Sequence, residues 1–406
     1  MKRIAIIGGG ACGLLALNGL LKDDIDIKID LFEKADKVGK KILVSGNGRC
    51  NFTNMNITPE AYNDVNFVED ILDRCSANDL IKEFEDLGIV SSEDEEGRVY
   101  PISDSSNSVL DMLIYKLKDS RVETHLNEEV TAIDKKDGKY VIKTKDFEGT
   151  YDYLIIASGS NIQNKNFNNP LNAIIEKLGL EFSKCYPSLT PLVVKEDLKS
   201  LKGIRCKASL TLQINDDYYS TDGEILFKDN AISGIAAFDL SSYLARHKVK
   251  EEKIHTCLLE VDLLPGLFMP IDFLNRRKEA LGKLPLEYFL RGMFNKMINT
   301  RLYKQAGINV SNRLCEDLSA EEIENLASTI KSFQFKVDPY ANVEPAQVLA
   351  GGVKVEQINS NFEVKGQPHL YLGGEVLNID GNCGGFNLHF AFASGLLIAE
   401  AILKEI

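Results

Sequence analysis

Residues 4–13 read Ile4-Ala5-Ile6-Ile7-Gly8-Gly9-Gly10-Ala11-Cys12-Gly13, and this stretch decides the fold. The apolar run predicts a buried parallel strand, and Leu14 to Leu21 predicts the helix that follows. The glycines therefore sit between strand and helix. Gly8 permits the tight turn, Gly10 lets backbone approach a pyrophosphate, and Gly13 lets helix and strand pack closely. A helix N-terminus at that point favours anions, because its first N–H groups lack partners and its dipole is positive there. Glycine-rich turns are common, but this one has a companion. A second apolar strand, Ile27 to Phe32, ends in Glu33, placed for a carboxylate to accept hydrogen bonds from a ribose.

The chain has 406 residues and a net charge of −13, so more than one domain is expected. Residues 64–96 hold twelve Asp or Glu against only Arg74 and Lys82, which concentrates the excess on one solvated face. That balance argues against nucleic acid or anionic lipid as a main partner. Eight cysteines lie scattered without CxxC spacing, so neither a zinc site nor a disulfide framework is legible and a reducing cytoplasm is the default. Three glycines interrupt the first apolar run, which argues against a signal peptide. The longest later run, Phe390 to Ala399, is short for a membrane span and suits a buried helix.

Beyond Glu33 lies GKKILVSGNGRCNFTN (Gly39 to Asn54), too polar and kinked for a regular element, whose lysines, arginine and amides offer donors to an anionic cofactor. Asn63 to Leu87 predicts two helices, Arg98 to Pro101 a short strand, and Asp104 to Leu117 a helix capped by Asp104 or Ser105. Strands follow at Val122 to Leu126, Glu129 to Asp134 and Tyr140 to Thr144, with Lys136-Asp137-Gly138 as a turn, and Tyr153 to Ala157 returns as a buried strand. The order of strand, helix, strand, small antiparallel insertion and return strand is that of one half of a flavoprotein with two dinucleotide-binding domains. In such a half Val130 lies near an adenine.

From about Pro187 the texture changes. Ala208 to Ile214, Tyr218 to Ser220, Glu224 to Phe227 and Thr256 to Leu263 predict strands, and Asp272 to Leu281, Leu286 to Gln305 and Ala320 to Ser332 predict helices, as expected of an inserted domain. The C-terminal part carries two further glycine-bearing segments, Gln347 to Val353 and Leu370 to Glu375. GNCGGFNLHFAFASG (Gly381 to Gly395) then runs into a final helix.

Taken together, GGGACG, KVGKKILVSGNGRCNFTN, AQVLAGGV (Ala346 to Val353) and GEVLNIDGNCGGFNLHFAFASG (Gly374 to Gly395) resemble the HI0933-like flavoproteins, also described as the aminoacetone oxidase or BaiN-type family. The resemblance covers nearly the whole chain. It implies an α/β fold: a Rossmann-type FAD-binding domain at 1–187 and 339–406, an inserted β-barrel-like domain at 188–270 and a small helical domain at 271–338. It also implies residue roles toward FAD. Gly8, Gly10, Ala11, Cys12 and Gly13 would hold the pyrophosphate, and Glu33, with Lys34 beside it, the ribose. Lys41, Gly48, Arg49 and Cys50 would lie along the phosphates and the approach to the isoalloxazine, and Val130 at the adenine. Gly374 and Glu375 would take the ribityl or phosphate end, and Asn387 and Leu388 the flavin's pyrimidine. The chain departs from the family's pattern at Lys228 to Ile235, and at Leu349, Asn378 and His389, where Thr, Asp and Gln are usual.

The expected activity is FAD-dependent two-electron chemistry on a small organic substrate, with NADH or NADPH as a transient co-substrate. An amine oxidase using dioxygen, a flavin-binding protein without turnover and a flavin-dependent RNA-modifying protein stay open as alternatives. No catalytic residue is legible. His247, His255 and His369 read as solvated or structural, and Cys50 and Cys383 as small packed thiols. His389 divides evenly between packing and function. Oligomeric state is not legible.

Overall fold

The computed structural model describes residues 1–160, 170–341 and 346–406. The chain forms two compact units, Met1–Ser188 with Gln347–Ile406, and Leu189–Ala346.

The first unit opens with β1 (Lys2–Ile7), α1 (Ala11–Leu20) and β2 (Ile27–Glu33), all legible from apolar runs and glycines. The segment expected to be irregular contains a short helix, α2 (Lys40–Val44), a kinked turn at Ser45–Gly48 and β3 (Thr53–Asn54). The acidic stretch forms α3 (Val65–Arg74), capped by Asp64, and α4 (Ala77–Asp86), capped by a Ser76–Asp79 box. β4 (Ser91–Glu93) and β5 (Arg98–Pro101) join β3 in a small antiparallel sheet. Next come α5 (Ser106–Ile114), which neither Asp104 nor Ser105 caps through its side chain, and β6 (Val122–Leu126). β7 (Ala132–Lys136), β8 (Lys139–Lys143) and β9 (Glu148–Tyr151) form an antiparallel meander. Its first turn carries positive φ at Asp137 and Gly138, as the sequence predicts. β10 (Tyr153–Ile156), α6 (Pro170–Lys177) and β11 (Phe182–Ser188) complete this segment.

In the second unit, β12 (Leu192–Val193), β13 (Arg205–Ile214), β14 (Asp217–Phe227) and β15 (Ala231–Ser233) precede α7 (Ile235–Val249) and β16 (Cys257–Asp262). α8 (Pro270–Leu281), α9 (Lys296–Gln305), α10 (Ala320–Lys331) and β17 (Phe333–Lys336) follow. The antiparallel order is β12-β15-β14-β13-β16-β17. A bridge between Val194 and Val337 joins the two edge strands and closes the sheet into a barrel, which removes its free edges. Helices and barrel share one apolar core.

Three sequence expectations need correction here. The two strands expected at 218–227 are one, because β13 pairs with β14 without interruption from Arg205↔Leu226 to Ile214↔Asp217. The single helix expected over 286–305 is a short turn at Leu286–Tyr288 and then α9. Gly292 adopts φ +82 between them, and the Arg277 guanidinium binds the Phe289 and Arg291 carbonyls. α7 is a helix where the sequence predicts none; it is buried around much of its surface and so lacks an amphipathic period.

Back in the first unit, β18 (Val348–Val353) pairs with β11, β19 (Leu370–Leu372) enters the main sheet, and α11 (Phe386–Glu405) ends the chain. The main sheet is wholly parallel, in the order β19-β10-β1-β2-β6. Chain connectivity reverses direction between β1 and β10, the point where open α/β sheets form a ligand crevice at their carboxyl ends. Both faces of such a sheet must be covered, and α11 packs on α1 through small residues. A Cβ on Gly395 would lie 2.2 Å from the Cys12 carbonyl oxygen, and one on Gly19 2.7 Å from Ala399 Cβ. α11 is long and apolar enough to cross a membrane, contrary to the shorter run expected, but most of that length is buried in this unit's own core.

Candidate functional site

The loop after β1 contains two kinds of glycine. A Cβ on Gly8 would sit 2.3 Å from the Ala157 oxygen, and one on Gly13 2.0 Å from the Gly8 oxygen, so the protein's own backbone requires both. Gly10 has φ −90 and ψ −164, which any residue adopts, and apart from its own chain neighbours no atom lies within 4 Å of where its Cβ would stand. Neither conformation nor packing explains that glycine. It opens α1 without a side-chain cap, leaving first-turn N–H groups beside open space. Gly9 N–H and Ala35 N–H each donate to the Glu33 carboxylate at 2.9 Å, which fixes it at the end of β2; Lys34 is exposed beside it.

Ala11 is half-buried and Cys12 buried. Burial pushes the Cys12 thiol up to about 12 despite the Ser394 hydroxyl beside it, so Cys12 packs rather than reacts. The same hydroxyl accepts the Gly374 N–H at 2.9 Å, tying α11 to the loop after β19.

A second cluster gathers residues far apart in sequence. Lys41 Nζ donates to the Ser160 carbonyl at 2.7 Å, the Ser160 hydroxyl at 3.0 Å and Glu375 Oε2 at 2.9 Å. Glu375 Oε1 accepts the Leu349 N–H at 3.2 Å. Burial opposes ionisation of Glu375, but the Lys41 ammonium and these hydrogen bonds hold it below its ordinary value. Gly374, at φ +72, makes the turn that presents it. The Asn378 side-chain oxygen accepts the Gly351 N–H at 3.1 Å, a contact the usual Asp would also make.

The third cluster surrounds the start of α11. Gly46, Asn47, Gly48 and Cys50 all lie in the left-handed region, with φ of 54, 56, 84 and 61; two are not glycine, so the loop is strained. It seats the Arg49 guanidinium 4.3 Å from the Tyr100 ring centre. Cys50 is buried, and burial pushes its thiol up to about 12. Gly385, at φ +102, could not carry a Cβ, which would lie 2.5 Å from the Thr53 oxygen. Asn54 donates to the Gly384 carbonyl at 2.9 Å. α11 therefore begins against β3 with no side-chain cap. Val130 is buried just before the meander.

Two side chains of α11 are tied to the protein itself. The Asn387 amide folds back onto its own loop: its oxygen accepts the Gly381 N–H at 2.9 Å, and its nitrogen donates to the Gly381 and Asn382 carbonyls at 2.8 and 3.2 Å. Its side chain shapes the loop, while Leu388 packs half-buried on the core. His389 is wholly buried; Nε2 donates to the Cys75 carbonyl at 3.0 Å and Nδ1 accepts the Thr53 hydroxyl at 2.8 Å. Burial lowers its pKa to about 4, so it is a neutral tie between α11, β3 and the α3–α4 junction. His247 bonds Glu252 and Tyr219, His369 bonds Glu405, and His255 is exposed.

Sequence reasoning missed Ser160, Ser394, Thr53 and Tyr100. Only Ser160 carried a signal, as the end of the strand–loop Ser158-Gly159-Ser160. A cleft of about 410 Å³ lined by Met1, Asp24, Lys28 and Arg121 opens at the amino end of the parallel strands, the end opposite to that where such sheets bind ligands.

The residues present fit FAD. The open front of Gly10 suits a pyrophosphate, Glu33 suits ribose hydroxyls, and the uncapped start of α11 suits partial negative charge on a flavin ring.

The family described as the HI0933-like protein Rossmann domain matches residues 2–401. This chain belongs to that family. It is an FAD-dependent oxidoreductase of that family. It is 29% identical to the 3-dehydro-bile acid delta(4,6)-reductase of Clostridium scindens, over 100% of both chains. It is 28% identical to the ribosomal RNA dihydrouridine synthase of Haemophilus influenzae, over 98% of both. Among solved structures, the 3-ketosteroid delta1-dehydrogenase of Sterolibacterium denitrificans shares the fold, with a TM-score of 0.51 and 13% identity over 100% of both chains.

Proposed function

We propose that this protein reduces a carbon–carbon double bond conjugated to a carbonyl in a small organic molecule, with NADH or NADPH as the electron source. The names of the two relatives support this reading. A 3-dehydro acid delta(4,6)-reductase saturates double bonds set against a 3-ketone, and a dihydrouridine synthase saturates the uracil double bond next to a carbonyl. Both names describe saturation of a double bond conjugated with a carbonyl, directly or through a second double bond, and in such a bond hydride enters at the end remote from the carbonyl.

One observation carries the assignment of the site. The open front of Gly10, the Lys41–Ser160–Glu375 cluster and the start of α11 all belong to the loops around β1, β10 and β19. FAD, when bound, supplies a two-electron carrier between reductant and substrate. The chain's residues do the rest. Gly8, Gly10, Ala11, Cys12 and Gly13 give the pyrophosphate a backbone surface, and Glu33 accepts from the ribose, with Lys34 nearby. Lys41 and Glu375, with Gly374, fix the loops over the cofactor's middle, Gly48 and Cys50 shape the approach to the ring, and Val130 lines the adenine end. Backbone N–H groups at Asn387 and Leu388 face the pyrimidine and favour negative charge on it. Cytoplasmic location accords with eight cysteines scattered without CxxC spacing.

The test is to purify the protein, record its visible spectrum and identify the released cofactor by mass. Anaerobic NADH or NADPH should bleach the flavin and 2-cyclohexenone should restore its colour. Recovery with dioxygen and reduction by primary amines would support an amine oxidase instead. A uracil in RNA is the second reading, favoured by the Haemophilus relative and opposed by the acidic charge; salt-sensitive RNA binding would select it.

A further inference from the structure

We infer that Arg49, aligned with the cofactor by family resemblance, instead receives the negative charge that develops on the substrate's carbonyl oxygen. This inference rests on the reaction proposed above. Four observations lead to it. Arg49 is carried by the loop with left-handed residues at 46, 47, 48 and 50, and strain of that kind is kept where a side chain must be aimed. Its guanidinium lies over the Tyr100 ring at 4.3 Å and donates to the Tyr100 hydroxyl at 3.3 Å. Among the described residues its ion pair is with Asp104, at 3.8 Å and itself 71% exposed, a long pairing that solvent screens. The guanidinium remains 44% exposed, reachable by a ligand.

The surroundings place it at the reacting end of the site. Tyr100 lies on β5, beside β3, and β3 abuts the start of α11 through Thr53 and Gly385. A Cβ on Gly46 would lie 3.5 Å from Tyr100 Cε1, so the ring stands close beside the loop. Arg98, on the same strand, is committed to Asp94 and Glu96 and leaves Arg49 as the nearby cation with donors to spare among the described residues. Arginine stays protonated, presents several N–H groups in one plane and stacks on aromatic rings.

The chemistry balances without an acidic side chain. NADH or NADPH loses two electrons and one hydrogen as hydride, which is delivered to the β carbon. The electron pair of the double bond shifts so that negative charge forms on the carbonyl oxygen, where Arg49 N–H groups bind it. Water then gives a proton to the α carbon, the hydroxide left behind passes to solvent, and the carbonyl re-forms. Tyr100 is a positioning residue, acting through Arg49.

The experiment compares wild type with Arg49→Gln and Arg49→Lys in three measurements: FAD dissociation constant, anaerobic flavin reduction by NADH or NADPH, and reoxidation by 2-cyclohexenone. The first two should be unchanged, and reoxidation by Arg49→Gln should slow about a hundredfold or more, as loss of an oxyanion donor does. Arg49→Lys keeps the charge and should fall between. Tyr100→Ala should slow reoxidation in the same direction, and Tyr100→Phe should restore most of the loss because the ring face is kept. A weakened FAD affinity in both Arg49 variants would return the residue to the cofactor and overturn the inference. Equal reoxidation rates in wild type and variants would overturn it and leave the proposed reaction standing. A wild type that no enone reoxidises would remove the reaction, and this inference with it.

Discussion

Gly10→Ala separates what the loop does for the fold from what it does for a ligand. Apart from its chain neighbours no protein atom lies within 4 Å of the added methyl, and the backbone is extended at φ −90, so the folded apoprotein gains no clash and no strain. Two small terms remain. Alanine restricts the unfolded chain, worth about 0.4–1 kcal/mol in favour of folding, and it is a poorer N-cap than glycine, worth about as much against. The apoprotein's unfolding free energy should therefore move by less than about 1 kcal/mol. A pyrophosphate resting against Gly10 would meet the methyl directly. Overpacking of a close contact costs about 1–3 kcal/mol, which is roughly a five- to 150-fold rise in the FAD dissociation constant. Urea unfolding of apoprotein and FAD titration by fluorescence measure the two quantities on one preparation. Unchanged FAD affinity would refute the claim that this open space is the phosphate seat, and a destabilised apoprotein would refute the claim that packing there is slack.

Gly395→Ala should do the reverse: a methyl 2.2 Å from the Cys12 oxygen forces α11 off α1, destabilising the apoprotein by about 1–3 kcal/mol in urea unfolding. Glu33→Ala should lower the FAD content of purified protein, and Glu33→Gln should retain more, because a side-chain oxygen can still accept from Gly9 N–H and from the ribose; full FAD content in Glu33→Ala would remove the ribose assignment. His389 titrates near 6.5 unfolded and at about 4 folded, so the unfolded chain binds more protons between those values and its contribution is complete above about 6.5 and lost as pH falls toward 4. Unfolding free energies measured from pH 7.5 to 4.5 should therefore fall more steeply for wild type than for His389→Gln.

The Asn387 side chain is spent on Gly381 and Asn382, which leaves its backbone N–H for the flavin role that the resemblance implies. Only coordinates could show this, because an amide beside a glycine cluster serves a ligand or its own turn equally well in sequence. The same holds for His389, whose buried partners come from β3 and the α3–α4 junction, more than 300 residues away. α7 is illegible in the sequence because burial around much of its surface erases the amphipathic signal. Turn-forming residues mislead at 218–227 as well: Thr221-Asp222-Gly223 reads as a break, yet an unbroken β13 partner holds these residues in one strand.

By itself the sequence determined the β1–loop–α1 turn, the β2 strand with Glu33 at its end and the β7–β8 hairpin, since these depend on neighbours in the chain: apolar runs, glycines and turn residues. Tertiary structure alone decided that Lys41, Ser160 and Glu375 meet, that α11 lies on α1 through Gly19 and Gly395, and that Arg49 rests on Tyr100. Those contacts join positions tens to hundreds of residues apart. No local preference encodes them; they form because burying the apolar faces of one parallel sheet leaves few ways to bring its loops together.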